Sequence, residues 1–259
     1  MNRELSLQAS FAIDLAKEAG SIMTQSFGID MKKEIKSDGT VVTDADIRIN
    51  SLMVRAIQKN YPGHNILAEE YSPKAIASDY TWVCDPIDGT ISFSHGIPTA
   101  VFSIALVRKG RPIIGVVHDP FQERTFLGIA GNGSVVNNKK LSVSKNAELE
   151  GATIGFVAWK DAQRKIVSDY DKLIDKRARV LMLGSITYMG ALVAAGELEG
   201  CIHPARMPFD TAAVKVIIGE AGGKVTSLSG KPQRYDGPIE GAIMSNGLIH
   251  SKLIDIVRP

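Results

Sequence analysis

The chain has 259 residues, 44% hydrophobic and 22% charged, with 30 basic against 28 acidic side chains and a formal net charge of +2. That balance excludes a disordered polyelectrolyte and the basic stripe of a nucleic-acid binder, while a chain this long buries a sizeable core as one large domain or two modest ones. Cys84 and Cys201 lie in apolar settings far apart in sequence and read as reduced structural thiols rather than a disulfide framework.

Residues Met1 to Leu5 lead into an amphipathic pattern rather than an apolar leader, and no stretch approaches the roughly 18 apolar residues of a membrane span. The expectation is a cytoplasmic protein with neither a membrane nor a nucleic-acid partner. Leu7, Phe11, Leu15, Ala19, Ile22 and Met23 recur at helical spacing, and a second helix is predicted from Ala45 to Asn60, stopped by Pro62-Gly63. Between them, Glu34-Ile35 and Val41-Val42 read as extended arms around a polar loop, residues 36 to 40, that holds Lys36 and Asp38.

Thr81 to Cys84 reads as a short buried strand that ends at Asp85, shortly after the acidic pair Glu69-Glu70. Asp85-Pro86-Ile87-Asp88-Gly89-Thr90 then places two carboxylates, a hydroxyl and a glycine within six residues. Across a proline-initiated turn, both side chains and the Ile87 carbonyl can point at one hard cation, with Mg2+ the expected ion. The N–H groups of Gly89 and Thr90, at the start of a helix, would face an anion. An ordinary Asp-Pro turn capping a helix is the bland alternative, but a carboxylate at a buried strand end beside other acids calls for a partner or a metal.

Further on, residues 100 to 107 form a strand closed by a tight turn at 108 to 112, and Ile113 to His118 and Glu123 to Ile129 continue as hairpin-linked strands. The pattern changes near residue 146, after which short strands alternate with helices. Thr153 to Phe156 and Ala178 to Leu183 are predicted strands. Asp161 to Leu173, Ile186 to Ala195 and Asp210 to Ala221 are predicted helices, the last two stopped by Gly196 and by Gly222-Gly223. Asp210 sits where an N-cap belongs, and capping is the plain explanation for it.

Four segments in order resemble the inositol monophosphatase family of magnesium-dependent, lithium-sensitive sugar phosphatases. They are Val42 to Asp46, Ala68 to Glu70, Trp82 to Thr90, and Pro208 to Ala213 running on to Gly223. The resemblance implies an α+β fold, a layered α/β/α/β/α sandwich. Residues 1–146 would form an N-terminal half carrying most metal ligands, and 147–259 a C-terminal α/β half supplying Asp210 and the substrate wall. It implies two Mg2+ ions, one on Glu69, Asp85 and the Ile87 carbonyl and one on Asp85, Asp88 and Asp210, with a third, looser ion near Glu70 and the loop of Lys36 and Asp38.

Thr90 and Asp46 match the family's water-orienting pair, and Glu70 joins them as a catalytic or supporting carboxylate. Gly89 and Thr90 would meet the phosphate, and Gly184 and Ser185 match the substrate-wall segment. His203 falls where inositol-selective members carry a glutamate, and Phe209 replaces the usual tryptophan. His203 could bond a hydroxyl, and with Arg206 it raises the alternative of a substrate with a second anionic group. The other histidines, His64, His95, His118 and His250, show no ligand spacing.

The implied activity is hydrolysis of a small phosphate monoester, most directly inositol monophosphate or a related sugar or polyol phosphate. Fructose 1,6-bisphosphate, histidinol phosphate and 3′-phosphoadenosine phosphates are the alternatives. A homodimer is implied by the family alone, and a non-catalytic role as partner of a macromolecular complex is the reading from a different class.

Overall fold

A computed structural model describes residues 3–28, 31–37, 39–157, 166–204 and 206–258. Helix α1 (Arg3–Ser26) is followed by the short antiparallel pair β1 (Lys33–Ile35) and β2 (Val41–Thr43), then by α2 (Asp44–Asn60). Next come β3 (Asn65–Ala68), β4 (Tyr80–Asp88), the one-turn helix α3 (Thr90–Ser94), β5 (Val101–Arg108), β6 (Arg111–Asp119), β7 (Arg124–Ile129), β8 (Gly133–Val136) and β9 (Lys139–Lys140). The seven strands β3 to β9 form one sheet in sequence order. The rest comprises β10 (Thr153–Phe156), α4 (Ile166–Asp175), β11 (Arg179–Leu181), α5 (Ile186–Ala194), β12 (Gly200–His203), α6 (Ala212–Glu220), β13 (Lys224–Thr226), β14 (Ala242–Ser245) and α7 (His250–Val257). Here five strands form a second sheet in the order β11-β10-β12-β14-β13.

Three apolar layers hold these elements together. One face of the large sheet, through Trp82, Cys84, Phe102, Ile104 and Leu106, meets Ala16, Ala19 and Met23 of α1 and Ile49, Met53 and Ile57 of α2. Its other face, through Val83, Val101, Ala105 and Val107, meets α5 and α6, which in turn cover Cys201 and Met244 of the second sheet. The far face of that sheet, with Ile154, Phe156, Ile202 and Ile243, packs on Leu173 of α4 and Leu253 and Ile256 of α7. This is the α/β/α/β/α sandwich. Both faces of β5 are buried, so its apolar residues run continuously while alternate side chains enter different layers.

The central layer is tight because α6 lies almost on the backbone of the large sheet. A Cβ built on Gly115 would run into the Ala213 carbonyl and lie 2.8 Å from its carbon and 2.9 Å from Ala213 Cα, all backbone atoms that cannot swing away. Gly115→Ala is therefore expected to destabilise the protein by about 1–3 kcal/mol. An unchanged thermal midpoint would show that α6 moves off the sheet freely.

Several expected elements shift. Leu7, read as part of the apolar face of α1, is 61% exposed, because it lies off the face on which Gln8, Ala12, Leu15, Ala19 and Met23 are buried. The strand expected at 178–183 spans only Arg179–Leu181, an edge position next to β10. The start of the helix expected at 161–173 falls outside the described residues, and the described helix runs on to Asp175. Among the described residues no helix is long and apolar enough to cross a membrane.

Candidate metal and phosphate site

Strand β4 does not stop at Asp85 but continues to Asp88. The expected proline turn is instead a bulge: Asp85 faces Ser103 and Asp88 faces Val101, so three steps on β4 oppose two on β5. Pro86 fits there because a bulge leaves a residue outside the ladder, where a missing N–H matters least. In a regular strand, residues three apart point to opposite faces; the extra residue brings Asp85 and Asp88 back to the same side. Asp85 Oδ1 accepts the Ile87 N–H at 2.9 Å, which locks the bend.

Asp210 completes the group from the other sheet's side of the molecule. It is not the cap of α6, which begins at Ala212 with Thr211 in the N-cap position and no side-chain capping bond. The turn before the helix is instead closed by Pro208, whose carbonyl accepts the Thr211 and Ala212 N–H groups at 3.1 and 2.8 Å. Thr187 Oγ1 donates to the Asp210 carbonyl at 2.8 Å. This arrangement frees the Asp210 side chain, and carboxylate oxygens of Asp85, Asp88 and Asp210 all lie within 4.8 Å of one another.

Asp88 is anchored by residues the sequence did not single out for that purpose. Its Oδ2 accepts the Ser185 hydroxyl at 2.7 Å and the Thr187 N–H at 2.5 Å, both from the start of α5. Ser185 also caps α5 by accepting the Tyr188 N–H at 3.1 Å. Expected on the substrate wall, Ser185 is fully buried behind Asp88; its hydroxyl positions a carboxylate and faces no open space.

Glu69 follows β3 and stands outside the tight group of three, with Oε1 3.4 Å from Lys36 Nζ. Lys36 makes its shorter contact, 2.7 Å, with Glu70. This ties the loop before β2 to the acidic pair; Asp38 of that loop lies outside the described residues. Burial of the ammonium opposes its charge, but the two glutamates outweigh it and raise the Lys36 pKa.

Thr90 and Asp46 come together although far apart in sequence. Thr90 Oγ1 lies 2.9 Å from the Ile87 carbonyl and 3.3 Å from Asp46 Oδ1. Asp46 is completely buried in the first turn of α2. Its Oδ2 accepts the Thr43 N–H at 2.8 Å and the Thr43 hydroxyl at 2.5 Å, forming a capping box with Thr43 as N-cap. The Thr-x-x-Asp spacing was a legible signal for that box. Gly89 adopts φ +96°, and a Cβ there would lie 3.0 Å from Ser185 Cβ; glycine thus permits both the turn into α3 and the approach of α5. Gly184 abuts Ser92 of α3. Arg206 is exposed and Phe209 half-buried, whereas the His203 side chain is completely buried, with Nε2 3.1 Å from Asp210 Oδ2. In this position the ring offers no surface to a substrate.

The electrostatics show what the group is built for. Burial, foremost, and then Glu69, Asp88 and Asp210 hold the Asp85 carboxyl well above the usual range. Burial pushes Glu69 up to about 8 and both Asp88 and Asp46 up to about 6, with Asp210 adding to Asp88. An all-oxygen set of crowded carboxylates, each disfavoured as an anion, fits a hard divalent cation and no soft one.

Comparison with known proteins agrees with this chemistry. The inositol monophosphatase family matches residues 4–258. A fructose-1,6-bisphosphatase/inositol-1-monophosphatase of Thermotoga maritima is 34% identical, covering 96% of this chain and 94% of its own. A Nus factor SuhB of Pasteurella multocida is 32% identical over 85% of each chain. The crystal structure of an IMPase/NADP phosphatase complexed with Mg2+ and phosphate superposes with a TM-score of 0.87 at 25% identity, covering 99% of this chain and 97% of that one. The sandwich, the acidic group at its centre and these matches along nearly the whole sequence lead to one conclusion: the chain belongs to the inositol monophosphatase family.

Proposed function

We propose that the protein hydrolyses a small phosphate monoester using Mg2+ held by Glu69, Asp85, Asp88, Asp210 and the Ile87 carbonyl. Inositol monophosphate or a related sugar or polyol phosphate is the leading substrate. The carrying observation is the meeting of Asp85, Asp88 and Asp210 within 4.8 Å, beside the Thr90–Asp46 pair. Two ions share these ligands in this reading, with residues 1–146 supplying most and 147–259 supplying Asp210; a third, looser ion belongs near Glu70. Bound Mg2+ would supply Lewis-acid stabilisation of charge on the phosphoryl oxygens.

The chain's own groups do the rest. Thr90 Oγ1 orients the attacking water and passes a proton to Asp46 Oδ1, whose pKa, raised by burial to about 6, suits a proton acceptor near neutral pH. The N–H groups of Gly89 and Thr90 at the start of α3 face the phosphate, and Gly184 closes the wall beside α3. Lys36 and Glu70 close the side nearest β2. A homodimer in the cytoplasm completes the reading, supported by family membership.

One observation favours a second substrate reading. Arg206 is exposed and lies four residues before Asp210 in the chain, so its guanidinium suits a second anionic group, as in the bisphosphate that the Thermotoga relative's name includes. Phosphate release should be measured with inositol, fructose, histidinol and 3′-phosphoadenosine phosphates, with Mg2+ titrated from zero and Li+ added at the optimum. Turnover that requires Mg2+ and falls with Li+ is expected. No turnover of any compound by protein that binds Mg2+ would sink the catalytic reading in favour of a binding role, the class to which the Nus factor relative's name points.

A further inference from the structure

His203 closes β12, where its backbone pairs with Ala242 of β14, and its side chain has no exposed surface. Nε2 approaches Asp210 Oδ2 to 3.1 Å, yet neither ring nitrogen makes a hydrogen bond among the described residues: the length is right and the angle is not. The Thr211 hydroxyl, next to Asp210, is likewise buried without a partner. Buried polar groups in this state are rare and call for an explanation.

A purely structural histidine looks different in this same protein. The buried His250 ring has both nitrogens engaged, Nδ1 with Ser245 Oγ at 2.8 Å and Nε2 with Thr226 Oγ1 at 2.9 Å. A substrate contact is equally ill-suited to His203, because no ligand reaches a ring with no accessible surface. The remaining partner is Asp210. Asp85 is held by the Ile87 N–H, and Asp88 by Ser185 and Thr187, whereas among the described residues no donor is aligned on the Asp210 carboxylate.

We propose that His203 is the positioning residue for Asp210, donating Nε2–H to Oδ2 so that the carboxylate stays turned toward Asp85 and Asp88. The bond is completed by a rotation of the carboxylate, the one group of the pair not fixed in a sheet. This inference rests on the metal-site reading of the three carboxylates. Its consequence for specificity is that position 203 contributes no hydroxyl acceptor to the substrate wall.

The test is Mn2+ binding to the full chain, read by the electron paramagnetic resonance of free Mn2+, for wild type, His203→Leu and His203→Gln, with His203→Met standing in if the leucine variant does not fold. Loss of the donor in Leu or Met should weaken Mn2+ binding about 10–100-fold, and Gln, which keeps an N–H, should recover most of it. At saturating metal, KM for the phosphate ester should stay at the wild-type value in all folded variants. Equal Mn2+ affinity in wild type and the donorless variants overturns the proposal, as does a raised KM with unchanged Mn2+ affinity, which would make His203 a substrate contact. Equal losses in Gln and Leu with matching falls in chelator melting temperature would mark a packing role and overturn it too. A wild-type protein that binds no Mn2+ fails at the earlier step, overturning the metal-site reading and this proposal with it.

Discussion

Asp85→Asn is expected to lower phosphate release by about 10³-fold or more at saturating Mg2+, while the metal-free protein melts at the same or a higher temperature at pH 8. The two halves of this result have one cause. Asp85 is 2% exposed, and Glu69, Asp88, Asp210 and Asp46 all add to the burial that disfavours its charge. Asparagine is nearly isosteric and keeps an oxygen for the Ile87 N–H, so the bulge survives. What it removes is the anion that crowds its neighbours in the absence of metal and that holds cations in their presence. Release rates with Mg2+ and thermal midpoints in chelator decide the matter together. Activity within about tenfold of wild type would remove Asp85 from the metal centre, and a sharply lowered midpoint would mean that the carboxylate is structural.

The second large effect is the coupling of Mg2+, pH and stability. The carboxyls of Glu69, Asp85, Asp88 and Asp46 all have folded-state pKa values raised above the ordinary carboxylate range, Glu69 to about 8 and Asp88 and Asp46 to about 6. A raised folded pKa means that the folded state binds more protons than the unfolded chain between about pH 4 and the folded value, so this contribution is fully present below about pH 4 and is lost as pH rises. Buried histidines act in the opposite sense: burial lowers the His250 pKa to about 4, and its contribution is regained as pH rises toward about 6.5.

Above pH 7 the carboxylates therefore act alone of the two, and the chelated protein should lose stability from pH 7 to 9 as Glu69 ionises. Mg2+ should reverse this. At a concentration about 100 times its Kd it adds about 2.7 kcal/mol, or roughly 5–10 °C for a chain of this size. The Mg2+-induced shift should grow from pH 6 to pH 8 as protons cease to compete. A shift that is independent of pH, or absent, would contradict a cation held by Glu69, Asp85 and Asp88.

Much of this arrangement was legible in the chain. The helical spacing of Leu15, Ala19 and Met23, the apolar run of β5 and the turn after it are local patterns that need no knowledge of distant residues. Other elements escaped for physical reasons. Strand β3 has four residues and gains its partner only by lying parallel to β4, and β12 to β14 are short segments whose pairing crosses the chain order. The Pro86 segment resembled a turn because proline and glycine usually punctuate the chain there. Only pairing with β5 turns it into a bulge.

By itself, the sequence determined the layered fold class, through its resemblance to a known family, and the inventory of acids brought to the site, because those acids and Gly89 sit in short segments whose spacing is local. Tertiary structure alone decided how those groups are held. Ser185 turns behind Asp88 because α5 enters the central layer at that point, Lys36 bridges Glu69 and Glu70 across the loop before β2, and His203 faces Asp210 because of its register on β14. Side-chain direction follows from strand register and helix placement, which are set by contacts between segments remote in the chain, and no spacing within a motif records them.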